Sequence, residues 1–219
     1  MPAKPRSTSA APPAESTRTE RKRGAILEAA TTTFLRQGYL GTSMDEIAAL
    51  AGVSKQTVYK QFADKERLFK AIVIGTVDVA SGPVYQEVLD LDATGDLAAG
   101  LRRLARRQLG LVMQPRLLQL RRLVIGEAGR FPELGRVFYE QGPQRTIAAL
   151  AATFERLAER GLLDFEDAQL AAAHFNWLVM SIPLNAAMLG GTDDPATAAE
   201  LDRYADAGVR AFVRAYGRR

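Results

Sequence analysis

Apolar residues recur every three to four positions along most of this 219-residue chain, and this periodicity constrains its fold more than any other feature. In residues 24–39, for example, Ile26, Ala30 and Phe34 share one helical face. Runs in which β-branched and polar residues alternate, as in a half-buried strand, do not stand out. Because apolar residues make up 47% of the chain, a core can be buried. The sequence therefore predicts an all-α protein.

Glycine and proline residues indicate where the predicted helices end. After two short helices on either side of Gly52, longer helices are expected at 64–80, 84–90, 95–114, 116–130, 133–160, 165–189 and 195–216. Gly82-Pro83 is expected to separate the first two of these helices. Gly142-Pro143 falls within the fifth helix and is expected to kink or split it, and Pro183 is expected to kink the sixth.

Two short helices joined by a glycine-containing turn follow residue 42. Ser43 and Glu46 have the spacing of a capping box, which predicts the start of the first helix. Gly52 can adopt positive φ in the turn, and Ser54 is a natural N-cap for the second helix. This arrangement is that of a helix-turn-helix unit.

The second of these helices offers little to a core, since Val58 is its one inward-facing residue and Phe62 is expected just beyond its end. A helix that lies in the major groove of DNA must be narrow and polar outward, because the groove is about 12 Å wide. The side chains of Lys55, Gln56 and Thr57 suit base edges. Those of Tyr59, Lys60 and Lys65 are better suited to phosphates.

Positive charge is concentrated in the same part of the chain. Residues 1–70 carry 12 Lys and Arg against 7 Asp and Glu, whereas residues 71–219 carry 17 Arg against 18 acidic residues. Every lysine lies at or before Lys70. Residues 1–70 thus carry a net charge of +5 and the rest a net −1. This distribution is expected of a nucleic-acid contact surface, although ordinary surface charge can also give it.

The segment "GTSMDEIAALAGVSKQTVYKQFADKERLF", Gly41 to Phe69, resembles the DNA-binding domain of TetR-type bacterial transcriptional regulators. The "AGVS" turn, the "TVY…F" pattern and Thr42 before the first helix are the matching elements. Residues 122–143, "RLVIGEAGRFPELGRVFYEQGP", are similar to the AefR-like C-terminal domain of that family.

The resemblance implies an all-helical homodimer that represses transcription and releases a palindromic DNA operator when a small hydrophobic ligand binds. It implies a helix-turn-helix domain at 19–66 and a regulatory and dimerisation domain at 67–219. Residues 1–18, which the resemblance does not cover, are expected to form a flexible arm, because residues 1–16 are rich in Pro, Ala, Ser and Thr. The family's DNA contacts correspond here to Thr42, Lys55, Gln56, Thr57, Tyr59, Lys60 and Lys65. Gln56 stands where the family commonly has glycine, which leaves the base preference open.

Large flexible and aromatic side chains in the second domain suit a hydrophobic effector pocket, although an ordinary core would use them as well. These candidate ligand-binding residues are Met113, Phe154, His174, Trp177 and Met180. His174 and Trp177 share one face of the helix at 165–189. One stripe of this helix is expected to seal the dimer and the other to line a pocket.

Several classes of function are disfavoured. The chain has no cysteine and one histidine, and no P-loop or dinucleotide-binding glycine pattern, so an enzyme, a metal site and a cofactor are not expected. The apolar segment 170–189 contains Asn176, Pro183 and Asn185, which favours burial over a membrane span. We expect a cytoplasmic, nucleoid-associated protein. A constitutive DNA-binding regulator or activator without ligand sensing stays open as the alternative.

Overall fold

The computed structural model of the chain describes residues 14–91, 95–190 and 196–218, and these residues are helical with no β-strand. The helices are α1 (Ala14–Gly41), α2 (Met44–Leu50), α3 (Lys55–Phe62), α4 (Lys65–Asp90), α5 (Leu97–Val112), α6 (Pro115–Glu127), α7 (Pro132–Tyr139), α8 (Arg145–Glu159), α9 (Ala168–Leu189) and α10 (Ala198–Tyr216). A π-helical turn, Glu140–Gln144, joins α7 to α8. The predicted all-α fold class is confirmed.

The chain divides into two compact units, the first ending at Ile72 and the second beginning at Val73. Helix α4 contributes residues to both. The boundary that the sequence suggested, after residue 66, remains a prediction. Residues 1–13 of the predicted arm lie outside the described residues. Residues 14–18, predicted as the end of that arm, belong to α1 instead.

An aromatic cluster forms the core of the first unit. The ring centroids of Phe34 and Phe69 lie 5.1 Å apart, and those of Tyr39 and Phe69 lie 5.3 Å apart, both with the rings nearly perpendicular. This edge-to-face geometry is the favourable one for aromatic pairs. The cluster fixes the end of α1 against the start of α4. At Gly38, with φ +76°, α1 kinks, and one further turn reaches Gly41.

Helix α4 continues through Gly82-Pro83, so the predicted break between residues 80 and 84 is wrong. Val77, Val84, Val88 and Leu91 are all buried, at spacings of seven, four and three residues that define one helical face. Burial of this stripe on both sides of Pro83 outweighs the loss of one backbone hydrogen bond. Tertiary packing thus overrides the local preference of proline.

Of the two other predicted helix irregularities, the one at Gly142-Pro143 interrupts the α-helix and the one at Pro183 does not. At Gly142-Pro143 the expected helix of residues 133–160 is split by the π turn. Pro143 has no N–H to donate, and the wider turn accommodates its ring. Helix α9, in contrast, runs without interruption through Pro183.

Helices α8, α9 and α10 hold the core of the second unit. The rings of Phe154, Phe175 and Phe212 pack together, with centroids 5.1–5.8 Å apart. The backbones of α9 and α10 come close at Gly208, where an added Cβ would lie 2.7 Å from the carbonyl oxygen of Leu178. Only glycine fits this crossing, because the opposing atom belongs to the backbone and cannot move aside.

Candidate DNA-binding surface and effector cavity

Helix α2 begins with one half of the predicted capping box. The side chain of Ser43 accepts a hydrogen bond of 3.2 Å from the backbone N–H of Glu46. The Glu46 carboxylate turns instead to α1, where it accepts hydrogen bonds from Arg36 Nη2 at 2.9 Å and Gln37 Nε2 at 2.6 Å. Glu46 therefore fastens α2 to α1 rather than closing the box.

The turn and the start of α3 follow the sequence prediction closely. Gly52 has φ +65°, in the left-handed region that glycine adopts most easily. Ser54 is the N-cap of α3 and accepts a hydrogen bond from the N–H of Thr57. Val58 and Phe62 are buried, and Phe62 is the last residue of α3 rather than a residue beyond its end. Two anchors thus hold the inner face of the helix.

The outer face of α3 is polar and open to solvent. Lys55, Gln56, Tyr59 and Lys60 are exposed, while Thr57 is half-buried and its hydroxyl lies 2.8 Å from that of Ser54. These five side chains were predicted to contact DNA, and the structure brings them together on one short helix.

Lys55 is not electrostatically isolated. Its Nζ donates a hydrogen bond of 2.8 Å to Asp45 Oδ2 of α2. This hydrogen bond and the charge of Asp45 raise the pKa of Lys55. Since both side chains are exposed, the ion pair is weak and is open to competition from a phosphate or a base.

Two predicted DNA contacts are engaged elsewhere in the protein. Thr42 is only 3% exposed, and its hydroxyl donates a hydrogen bond of 2.8 Å to the Gly38 carbonyl. Lys65 Nζ donates to the carbonyls of Tyr39 at 2.8 Å and Thr42 at 2.9 Å, and lies 4.7 Å from the Tyr39 ring centroid. Both side chains thus satisfy carbonyls at or just beyond the end of α1, and their contact with DNA stays a prediction.

A cavity lies within the second unit, bounded by α4, α5, α6, α7, the π turn, α8 and α9. It encloses about 510 Å³ of space not filled by atoms, with its mouth to solvent included. The lining residues are Val77, Val84, Gln108, Leu111, Val112, Leu117, Arg121, Phe138, Gly142, Pro143, Thr146, Asn176 and Met180. A cavity of this kind, apolar with a few polar groups, is typical of small-molecule sites.

Met180 is the one predicted ligand-binding residue that lines this cavity. Phe154 is fully buried among the aromatic rings of the core instead, and Met113 is the half-buried C-cap of α5. His174 and Trp177 are exposed on α9, and His174 Nδ1 lies 2.5 Å from the Tyr216 hydroxyl. These four residues point elsewhere because the cavity opens toward the face of α9 that carries Asn176 and Met180.

The sequence interpretation missed the polar residues of the cavity. Gln108 and Asn176 are 3% and 0% exposed, and Gln108 Nε2 donates a hydrogen bond of 2.7 Å to Asn176 Oδ1. Arg121 is half-buried against the Phe138 ring, 5.0 Å from its centroid. Burial lowers the pKa of Arg121, although a guanidinium stays charged at neutral pH. In α5, Gln108 lies one helical turn from buried Leu104 and one turn from buried Val112. A polar residue in this apolar stripe is the sequence feature that could have identified the cavity.

A row of apolar side chains on α9 faces solvent. Trp177 is 41% exposed, Ile182 61% and Leu189 85%, and Leu170 and Leu178 are exposed as well. Clustered exposed apolar residues commonly indicate an interaction surface. No helix of the three described segments is both long and apolar enough to cross a membrane.

Known proteins resemble both units. The family described as bacterial regulatory proteins, tetR family, matches residues 26–72. The family described as AefR-like transcriptional repressor, C-terminal domain, matches residues 99–218.

Two solved structures match almost over their full length. A TetR-family transcriptional regulator of Mesorhizobium loti MAFF303099 is 44% identical, with a TM-score of 0.85 over 91% of this chain and 98% of that one. The flavonoid-responsive regulator FrrA is 34% identical, with a TM-score of 0.75 over 90% of this chain and 98% of that one.

Several curated relatives are matched over a smaller part. The DNA-binding transcriptional repressor TetR of Mycobacteroides abscessus is 37% identical over 84 residues, which are 38% of this chain and 40% of that protein. Other curated regulators are matched over 25–30% of their own length. With a helix-turn-helix unit, an AefR-like second domain and near-complete structural relatives, the chain belongs to the TetR family of bacterial transcriptional regulators, which bind DNA and are not enzymes.

Proposed function

We propose that this regulator is a homodimeric repressor that binds a palindromic operator through α3 and leaves it when a small, mostly apolar effector enters the cavity. The observation that carries the proposal is the outer face of α3. A polar, exposed surface on a helix held by two buried anchors has the shape and chemistry of a reading helix. The relative TetR of Mycobacteroides abscessus, which is named as a repressor, supports repression rather than activation.

We assign two kinds of contact to α3. Lys55, Gln56 and Thr57, in its first turn, read base edges, because the amino-terminal residues of a recognition helix reach the groove floor. Tyr59 and Lys60 contact phosphates and set the register of the helix. Thr42 and Lys65 are excluded from this set, since their polar groups are bonded to carbonyls.

A second copy of the chain is the proposed partner for the exposed face of α9. Trp177, Leu178 and Ile182 would be buried in such a contact, which a twofold axis makes self-complementary. The dimer would set two α3 helices about 34–36 Å apart, one turn of DNA. An operator with two inverted half-sites follows from that symmetry.

Helix α4 supplies the link between effector and DNA. It begins at Lys65, whose ammonium is bonded to the end of α1, and its residues Val77 and Val84 line the cavity. An effector that shifts these valines shifts a helix anchored in the DNA-binding unit. To move the operator-competent fraction from 99% to 1%, it must favour the released state by about 5.5 kcal/mol.

The alternative is a constitutive regulator or an activator without an effector. The cavity with its unpaired polar atoms favours sensing over the constitutive form. Repression and activation differ in where the operator lies relative to the promoter. Transcription from a promoter that carries the selected site, measured with and without the protein, separates them.

Selection from a random duplex library tests the proposal directly. The full chain is expected to enrich an inverted repeat, and Ile182→Asp is expected to lose affinity for the two-half-site duplex and to sediment as a monomer. Val79→Asp is the matched control, since Val79 is 82% exposed on α4. Enrichment of no sequence, or of an asymmetric site bound equally well by Ile182→Asp, would refute the dimeric repressor.

A further inference from the structure

Three buried polar atoms of residues that line the cavity have no hydrogen-bond partner within the described part of the chain. They are Gln108 Oε1, Asn176 Nδ2 and Arg121 Nε. Buried polar atoms are paired in the great majority of cases, and each exception calls for an explanation. Three of the four such atoms among the described residues thus belong to one cavity, the fourth being Gln61 Oε1 in α3. This clustering points to a bound molecule as the source of the missing partners.

The Gln108–Asn176 pair defines part of that molecule. The hydrogen bond between their amides joins Gln108 Nε2 to Asn176 Oδ1. The acceptor Gln108 Oε1 and the donor group Asn176 Nδ2 are left without partners. Exchange of oxygen and nitrogen in both amides would leave the same two kinds of atom unpaired. The ligand must therefore bring both a donor and an acceptor to this pair, as a hydroxyl group does.

Arg121 defines a second part of the bound molecule. None of the described residues that line the cavity is acidic, so the guanidinium has no counter-charge among them. Phe138 covers one face of it and contributes attraction but no hydrogen-bond acceptor. A carboxylate or a phenolate would supply both the negative charge and the acceptor that Nε lacks.

The remaining walls set the character of the rest of the ligand. Val77, Val84, Leu117 and Met180 are apolar, and so are the rings of Phe138 and Pro143. We infer that the effector is a small apolar acid, whose anionic oxygen group binds Arg121 and whose hydroxyl or similar group binds the Gln108–Asn176 pair. This inference rests on the proposed function of the cavity as the effector site.

Matched pairs of probes isolate the anionic group. We would titrate the full chain with salicylate, 4-hydroxybenzoate and 4-hydroxycinnamate, each compared with its methyl ester, by calorimetry at pH 7.5. The three acids differ in the distance from hydroxyl to carboxylate. At least one acid is expected to bind roughly 10- to 100-fold more tightly than its ester, since a hydrogen bond to a charged group contributes about 1.5–3 kcal/mol.

Two variants assign this preference to Arg121. Arg121→Met keeps most of the side-chain volume and is expected to bind acid and ester alike. Arg116→Met is the control on the same helix, because Arg116 is exposed and outside the cavity lining. Equal affinity of each acid and its ester for the wild type, or an acid preference that survives in Arg121→Met, would overturn the inference.

A measurement without any ligand provides an independent check. In the empty protein the buried Nε without a hydrogen-bond partner opposes folding, so Arg121→Met is expected to raise the melting temperature by a few degrees, while Arg116→Met leaves it unchanged. An unchanged or lower melting temperature for Arg121→Met counts against the inference even if no probe fits. Operator binding is measured in parallel and is expected to be normal in both variants. Failure of the wild type to bind any operator would refute the proposed function, and not the inference about Arg121.

Discussion

Lys65 offers a sharp test of how a conspicuous basic residue in a DNA-binding unit is used. In Lys65→Met, the ammonium that donates to the Tyr39 and Thr42 carbonyls is lost, while most of the side-chain volume is kept. Hydrogen bonds from a charged donor contribute about 1.5–3 kcal/mol each when buried. Because Lys65 is half-buried, water can replace part of this hydrogen-bond energy. We therefore expect the free energy of unfolding to fall by about 2–3 kcal/mol.

Urea unfolding of the full chain measures this change, and Lys60→Met is the matched control. Lys60 is exposed on the outer face of α3, so its loss is expected to change stability by no more than about 0.5 kcal/mol. Its proposed role is at a phosphate. The slope of log affinity against log salt concentration should therefore become shallower by about 0.9 for Lys60→Met and stay unchanged for Lys65→Met.

The two variants thus separate a structural lysine from a DNA-contacting one. If Lys65→Met unfolds at the wild-type urea concentration and its salt slope drops as in Lys60→Met, the carbonyl assignment is refuted. If both variants keep the wild-type slope, Lys60 has no phosphate contact, and the docking of α3 has to be reconsidered.

Three further changes test other contacts. Ser54→Ala removes the N-cap of α3 and is expected to lower the free energy of unfolding by about 1 kcal/mol, measured by urea unfolding; no change would mean that the cap hydrogen bond is redundant. Gly208→Ala places a Cβ 2.7 Å from a carbonyl oxygen of α9 and should cost about 1–3 kcal/mol, whereas Gly110→Ala, with open space around it in α5, should be neutral or stabilising. Asp45→Asn releases Lys55 and removes a negative charge beside α3, so tighter DNA binding at low salt is expected, and weaker binding in a gel shift would contradict the proposed placement of α3.

Features that depend on neighbours along the chain could be predicted from the sequence. The Ser54 cap and the positive φ of Gly52 follow from interactions within three or four residues. The inward position of Val58 follows from helical period alone. Short-range physical chemistry was therefore enough to locate α3 and its exposed face.

Features that depend on distant contacts could not be predicted in this way. Lys65 meets carbonyls 26 and 23 residues earlier in the chain, and Gln108 meets Asn176 across 68 residues. A charged side chain near a reading helix looks the same in sequence whether it binds phosphate or a carbonyl. The continuation of α4 through Pro83 likewise depends on burial that no local pattern reveals.

The π turn at Glu140–Gln144 has a consequence for the length of the chain. Such a turn spans i to i+5 and holds one residue more than an α-helical turn, so deleting Pro143, whose ring needs the wider turn, permits ordinary α geometry. Helices α7 and α8 would keep their orientations, and only the wall formed by Gly142 and Pro143 would change shape. This stretch is therefore where the loss of a single codon can remodel what the cavity accepts while the helices on either side stay in place.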